Sequence, residues 1–382
     1  MLYRDFGKTE ERVSILGFGC MRLPVTGSDP TNIDEDAAIK MMHYAIDRGV
    51  NYVDTAYPYH GAGFNQGGAS EPLVAKALKN GYRERVNLAT KLPSWLIKTR
   101  SDMDKYLNEQ LERLETDTID FYLAHSLNAN VWPVLRKAGI TEFFDQAIKD
   151  GRIKYAGFSF HDQVNLFKEI VDDYDWSFCQ IQYNYLDEDF QAGKEGLDYA
   201  AKKGLGIAIM EPLRGGNIVN LPKEAKAIMD RAHVQRSAAE WGLRWVWNHP
   251  EVSLVLSGMT TMDHVVENVK VAQDAEPHAL TTDELEMFDQ IKKVFQEKIK
   301  VNCTACGYCM PCPAGINIPR CFSIYNDHWV FDGSPLAKKS YAVMSKMSTP
   351  PSKCAECGKC ESHCPQGIAI PQELKNVTAI FE

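Results

Sequence analysis

Eight short apolar runs of strand length recur along most of the chain with helical patterns between them, and no other feature narrows the fold so far. The runs are residues 16–20, 51–53, 86–90, 119–124, 154–157, 177–181, 207–210 and 253–256. Segments such as 36–48, 101–114, 164–171 and 237–247 carry the helical period between them. Strand-helix alternation implies a parallel sheet with its helices outside. Eight strands favour an α/β fold closed as a (β/α)8 TIM barrel, and 382 residues hold such a barrel, about 250 residues, plus a small appendage. Residues 2–4 and 12–15, ahead of the first barrel strand, read as an N-terminal hairpin. The alternative is an open doubly wound sheet. Against it, no G-x-G-x-x-G follows the first strand, and residues 17–19, Gly-Phe-Gly, are a weak signal alone.

Charge and cysteine both divide the chain near residue 298. Up to that point 34 Lys+Arg stand against 45 Asp+Glu, and from residue 299 onward 8 stand against 6. Of 11 cysteines only Cys20 and Cys179 precede the break. The expected organisation is a barrel over residues 1–298 and a small cysteine-ligated domain over 299–382. A net charge of -9 argues against a nucleic-acid or anionic-membrane partner. No apolar run approaches the roughly 18 residues of a membrane span. The opening MLYRDFGKTEER lacks the apolar core of a secretory signal, so a cytoplasmic location is expected.

Within the barrel pattern, NYVDTAYPY at residues 51–59 is a strand that follows Gly49 and is stopped by Pro58. Asp54 and Tyr59 therefore fall where strand gives way to loop, the end at which such barrels keep their chemistry. Lys91 ends the next strand in LATK and His125 the one after in YLAH. Singly each has a plainer role: a cap, a loop aromatic, a solvated lysine, a core imidazole. Together, at three successive strand ends, they suit reduction of a carbonyl by hydride. Tyr59 would give the proton to the carbonyl oxygen, Lys91 would lower the cost of the phenolate, Asp54 would fix Lys91, and His125 would orient and polarise the carbonyl.

At this point the chain resembles the aldo-keto reductases over residues 1 to about 298. The resemblance rests on GFGCMRLP, DTAYPY, ATK, LAH, GFS at 157–159, QIQYN at 180–184, EPLRGG at 211–216 and SGMTTMDHVVENV from Ser257. It implies that Asp54, Tyr59, Lys91 and His125 are catalytic and that NAD(P)H is the cofactor. By the same resemblance Ser159 and Gln180 hold the nicotinamide carboxamide, and Met210, Pro212 and Leu213 line the cleft with Met21 and Asp54. Gly258, Met259, Thr260, His264 and Asn268 then wrap the adenosine end. The chain departs from the family pattern in having Met210 where many members stack an aromatic ring. It also lacks a basic residue among Met259, Thr260 and Thr261, and has His60 where a glycine usually follows the tyrosine. His125, where steroid alkene reductases of the family carry Glu, implies carbonyl reduction.

The tail holds Cys303, Cys306, Cys309 and Cys312-Pro313 as C-x2-C-x2-C-x2-C-P. Cys354, Cys357, Cys360 and Cys364-Pro365 follow as C-x2-C-x2-C-x3-C-P. The second is the bacterial ferredoxin run, and the first is one residue shorter before its last cysteine. Zinc sites usually pair two separated C-x2-C elements, which leaves a third cysteine without a role, and disulfides do not suit a cytosolic chain. The tail is similar to two-cluster ferredoxins. That likeness implies one [4Fe-4S] cluster on Cys303, Cys306, Cys309 and Cys364, and another on Cys354, Cys357, Cys360 and Cys312. Residues 319–329 and 335–344 between the runs are helical in pattern, so a mainly helical ferredoxin-like domain is expected, with Cys321 a buried thiol.

The expected protein is an NAD(P)H-dependent oxidoreductase acting on a small-molecule aldehyde or ketone, its iron-sulfur clusters relaying electrons, with a redox protein as a second partner. Two other readings stay open. One is an electron-transfer reductase in which clusters, with a barrel-bound flavin that no motif marks, replace nicotinamide. The other is a redox-sensing binding protein on a reductase barrel.

Overall fold

The computed structural model describes every residue of the chain except Ser28, Phe64, Thr304 and Cys306. Two short strands, β1 (Tyr3–Asp5) and β2 (Arg12–Ser14), pair antiparallel as the N-terminal hairpin. The eight strands that follow are β3 (Leu16–Gly19), β4 (Tyr52–Asp54), β5 (Asn87–Leu92), β6 (Ile119–Leu127), β7 (Ile153–Phe160), β8 (Phe178–Gln182), β9 (Gly206–Met210) and β10 (Leu254–Ser257). Each pairs in parallel with its neighbours, and β10 pairs with β3, closing the barrel. An open sheet is thereby excluded.

The hairpin seals one end of this barrel. Phe6, in the turn between β1 and β2, is wholly buried and sets its ring against Tyr52, Phe121 and Phe178 at centroid distances of 5.8, 5.0 and 5.4 Å. Tyr52 and Phe178 begin their strands, so the plug fills the amino-terminal mouth and leaves the carboxyl ends for chemistry. Gly206 makes room for it, since a Cβ there would lie 2.6 Å from the Phe6 ring.

β6 and β7 run three residues beyond the expected 119–124 and 154–157, and their register shifts between Ala124 and Leu127. At that bulge Ser126 adopts a left-handed φ of 56°, and its N–H donates to Ser159 Oγ at 2.7 Å. A bulge re-aims the side chain beside it, here His125.

The chain forms two compact units, Met1–Arg214 with Ala239–Leu280, and Gly215–Ala238 with Thr281–Glu382. This division does not fall at residue 298. Helix Thr282–Lys298 groups with the cysteine-rich tail because Lys298 pairs with Asp332 at 2.8 Å and Phe295 packs on Phe331, and with residues 215–238 because Glu284 pairs with Arg236 at 2.6 Å. In the second unit helices Ile318–Val330, Pro335–Met347 and Ile370–Phe381 enclose Cys321, Phe322, Tyr341, Met344, Leu374 and Val377. All three carry Pro in their first turn, and Asn317 and Ser334 cap the first two. Among the described residues no helix is long and apolar enough to cross a membrane.

Candidate active site and cysteine cavities

Asp54 is the last residue of β4, Lys91 the fifth of β5, and His125 stands at the bulge of β6, so three neighbouring strands deliver their side chains to one end of the barrel. Lys91 is wholly buried. Its Nζ donates to Asp54 Oδ1 and Oδ2 at 2.6 and 2.7 Å and to the Thr55 carbonyl at 2.8 Å, and lies 3.4 Å from the Tyr59 hydroxyl. Burial alone would strip its proton, but the Asp54 carboxylate and then Tyr59 outweigh that, holding Lys91 above its ordinary value as an ammonium. Tyr59 is raised by burial, with Lys91 pulling it back, and is a phenol at neutral pH.

His125 is held well below the usual imidazole range by burial, then by Lys91 and His161. Its ring is therefore neutral. It meets the Tyr59 ring edge-on at 6.1 Å, and its buried Nδ1 has no hydrogen-bond partner among the described residues.

The loop bearing Tyr59 is fastened in unusual ways. His60 takes a left-handed φ of 57°, which explains a glycine preference at this position. Here the strain is offset by its ring, which accepts from Leu23 N at 3.1 Å and donates to the Pro30 carbonyl at 2.7 Å. Gly68 closes the segment, because a Cβ there would sit 2.0 Å from the Tyr59 carbonyl oxygen.

Around the same end lie the remaining barrel residues singled out from the sequence. Ser159, next to last in β7, and Gln180, midway along β8, are both buried. Ser159 Oγ accepts from Ser126 N, and the Gln180 amide faces Met210 Sδ at 3.6 Å, a weak acceptor. Both retain hydrogen-bonding capacity for a carboxamide. Pro212 is buried and Leu213 half-buried after β9, while Met21 is exposed in the turn after β3. After β10, Gly258, Thr260 and His264 are exposed and Met259 is buried. Asn268 Nδ2 donates to Ser257 Oγ at 3.0 Å, tying helix Met262–Val271 to the strand.

Three neighbours escaped the motif reading. Trp95 packs 5.2 Å from the His125 ring, His161 lies near enough to disfavour the His125 proton, and Arg22 lies against Gly258 with its guanidinium 3.8 Å from Glu211. Trp95 follows ATK within LPSWL and Arg22 sits inside GFGCMRLP, so position beside a strand end was the available signal.

In the second unit the cysteines ring two cavities. One is lined by Cys303, Cys309 and Cys364 with Ile318, Phe322 and Ile370. The other is lined by Cys312, Cys354, Cys357 and Cys360 with Pro371 and Leu374. Cys306 lies outside the described residues. The last cysteine of each run thus faces the cavity of the other run. Among the described residues, four thiols and no carboxylate or imidazole line the second cavity, a donor set that suits an iron-sulfur cluster. Cys321 faces neither cavity. Its thiol is buried 3.6 Å from Met344 Sδ and burial pushes it up to about 12.

Residues 15–293 match the model of the aldo/keto reductase family, and residues 302–369 match that of a 4Fe-4S dicluster domain. The chain is 27% identical over 292 residues to probable aldo-keto reductase 1 of Glycine max, covering 67% of this chain and 80% of that protein. It is 27% identical over 289 residues to the 6-dehydroglucose reductase of Novosphingobium aromaticivorans, covering 70% and 89%. Among solved structures, the holo form of aldo-keto reductase AKR11C1 from Bacillus halodurans aligns with a TM-score of 0.63 at 27% identity, over 76% of this chain and 96% of that one.

Proposed function

Because the chain belongs to the aldo/keto reductase family, we propose that it reduces the carbonyl of a small aldehyde or ketone with NAD(P)H, and oxidises the alcohol in reverse. The observation that carries this is a phenol 3.4 Å from a buried ammonium and edge-on to a neutral imidazole. Bound nicotinamide supplies the hydride that reaches the carbonyl carbon. Tyr59 gives its proton to the carbonyl oxygen, and the phenolate left behind is stabilised by Lys91 until solvent reprotonates it. His125, neutral, donates an N–H toward the same oxygen and orients it. Asp54 keeps Lys91 charged and in place. Ser159 and Gln180 hold the carboxamide, Met21, Asp54, Met210, Pro212 and Leu213 line the cleft, and Gly258, Met259, Thr260, His264 and Asn268 bind the adenosine end.

For the cysteine-rich tail, residues 299–382, we propose two [4Fe-4S] clusters, one on Cys303, Cys306, Cys309 and Cys364 and one on Cys354, Cys357, Cys360 and Cys312. Bound clusters supply one-electron transfer, and we propose that this capacity serves the carbonyl reaction, with a redox protein as partner. The test reduces the protein anaerobically with a low-potential donor, supplies NAD(P)+ only in trace amount so that two cluster electrons and a proton must regenerate the hydride donor, and follows carbonyl reduction beyond that amount. Turnover by the native protein but not by a cluster-free variant is expected. If neither turns over while NAD(P)H drives both equally, the tail contributes no electrons.

A further inference from the structure

Behind Lys91 lies a carboxylate that the four-residue scheme does not use. Glu71, in the first turn of helix Ser70–Ala77, is wholly buried. Its Oε1 accepts from Thr90 Oγ1 at 2.7 Å and from Gln110 Nε2 at 2.6 Å, and its Oε2 accepts from Arg113 Nε at 2.8 Å. Gln110, also wholly buried, donates to the Lys91 carbonyl at 3.1 Å and accepts from Tyr122 OH at 2.7 Å. The other end of Arg113 donates to the Gly68 carbonyl. Gly68 N donates to the Tyr57 carbonyl at 2.8 Å, and Ser70 N to the Tyr59 carbonyl at 3.2 Å.

The carboxylate therefore joins two segments: the strand end that carries Lys91 and the loop that carries Tyr59. Plain packing does not call for it, since a buried ion pair is often no more stabilising than apolar residues of the same volume. What the pair does supply is a fixed distance. At 3.4 Å the Lys91–Tyr59 contact is at the long edge of a hydrogen bond, so a small drift of either segment would break it.

We propose that Glu71, through Arg113 and Gln110, is a positioning residue that sets the spacing between the Lys91 ammonium and the Tyr59 hydroxyl. The inference rests on the carbonyl-reductase reading of Tyr59. Glu71 meets neither substrate nor cofactor; it acts through the two segments it ties. The titratable groups facing Tyr59 are Lys91, Asp54, Cys20 and His125, and of these only Lys91 favours the phenolate. Loss of the spacing therefore has one sign: Tyr59 becomes a weaker acid.

Two variants test this. Glu71→Gln keeps the shape but removes the charge that holds Arg113, and Arg113→Lys keeps the charge but cannot span Glu71 and Gly68 together. Both are compared with the native protein in kcat and KM from pH 6 to about 10.5, in NAD(P)H binding by fluorescence quenching, and in melting temperature. The expected result is cofactor binding within about twofold of native, kcat at neutral pH lower by roughly tenfold with KM little changed, and an alkaline limb displaced upward by about one pH unit. Variants that melt lower but keep the native kcat and alkaline limb would reduce the network to packing and overturn the proposal. Should Glu71→Gln fail to fold, Arg113→Lys decides. A failure of the underlying reading looks different: Tyr59→Phe then retains turnover, whatever these variants do.

Discussion

The His125 imidazole stands edge-on to the Tyr59 ring, 6.1 Å between centroids and 78° between planes. In that position burial, Lys91 and His161 all disfavour its proton. The sign of the consequence follows from linkage. A base whose folded pKa is depressed gives stability that is present above the unfolded value, about 6.5, and lost as pH falls below it, because the unfolded ring takes a proton that the folded ring refuses. Between pH 7.5 and 5.5 the native protein should lose about 1 kcal/mol more than His125→Asn, read from urea unfolding at both pH values. Equal losses would mean that His125 is charged or freely titrating in the fold.

Cofactor choice follows from the adenosine end. Met259 is buried, Thr261 accepts from His264 N to cap its helix, and the Arg22 guanidinium beside Gly258 is 3.8 Å from Glu211. Nothing in Gly258, Met259, Thr260 or Thr261 offers a cation to a 2'-phosphate. NADPH and NADH should support turnover with kcat/KM values within about a hundredfold of each other. A larger NADPH preference, beyond about 2.7 kcal/mol, would require a paired phosphate, and Arg22→Met would then be expected to remove it.

The cysteine cavities predict which ligands share a cluster. Anaerobically purified protein should hold about eight iron and eight sulfide per chain. A Cys303→Ser/Cys309→Ser variant should keep about four iron. Adding Cys364→Ser should leave that iron in place, whereas adding Cys312→Ser should remove it. Iron analysis with low-temperature EPR reads both. The opposite order would restore each last cysteine to its own run, and zinc as the main metal would reject the clusters.

Much of this architecture was legible because its causes are local. Strand-length apolar runs stopped by Gly and Pro marked β3, β4 and β5 and therefore the ends at which Asp54 and Lys91 stand. The hairpin was legible as two strands, but its function as a plug was not, since Phe6 meets Tyr52, Phe121 and Phe178 only once the barrel closes. The bulge after Ala124 was not legible for a related reason: Ser126 is held at positive φ by its bond to Ser159, on the neighbouring strand but 33 residues on. Nothing local to Glu71 marks its role, because its partners Gln110 and Arg113 lie about forty residues on. The break in charge at residue 298 is real in composition. It does not bound a compact unit, because helix Thr282–Lys298 takes its partners from the tail and from helix Lys223–Met229.

Replacement of Tyr59 by Phe tests the central claim most directly. The change removes one hydroxyl and little volume, leaving the Lys91–Asp54 pair and both cysteine cavities untouched. NAD(P)H-dependent reduction of an aldehyde panel should fall by at least about a thousandfold, while cofactor binding, melting temperature and iron content stay at native values. Turnover near the native rate in that variant would contradict the assignment of Tyr59 as the proton donor, and with it the carbonyl-reductase reading of the barrel.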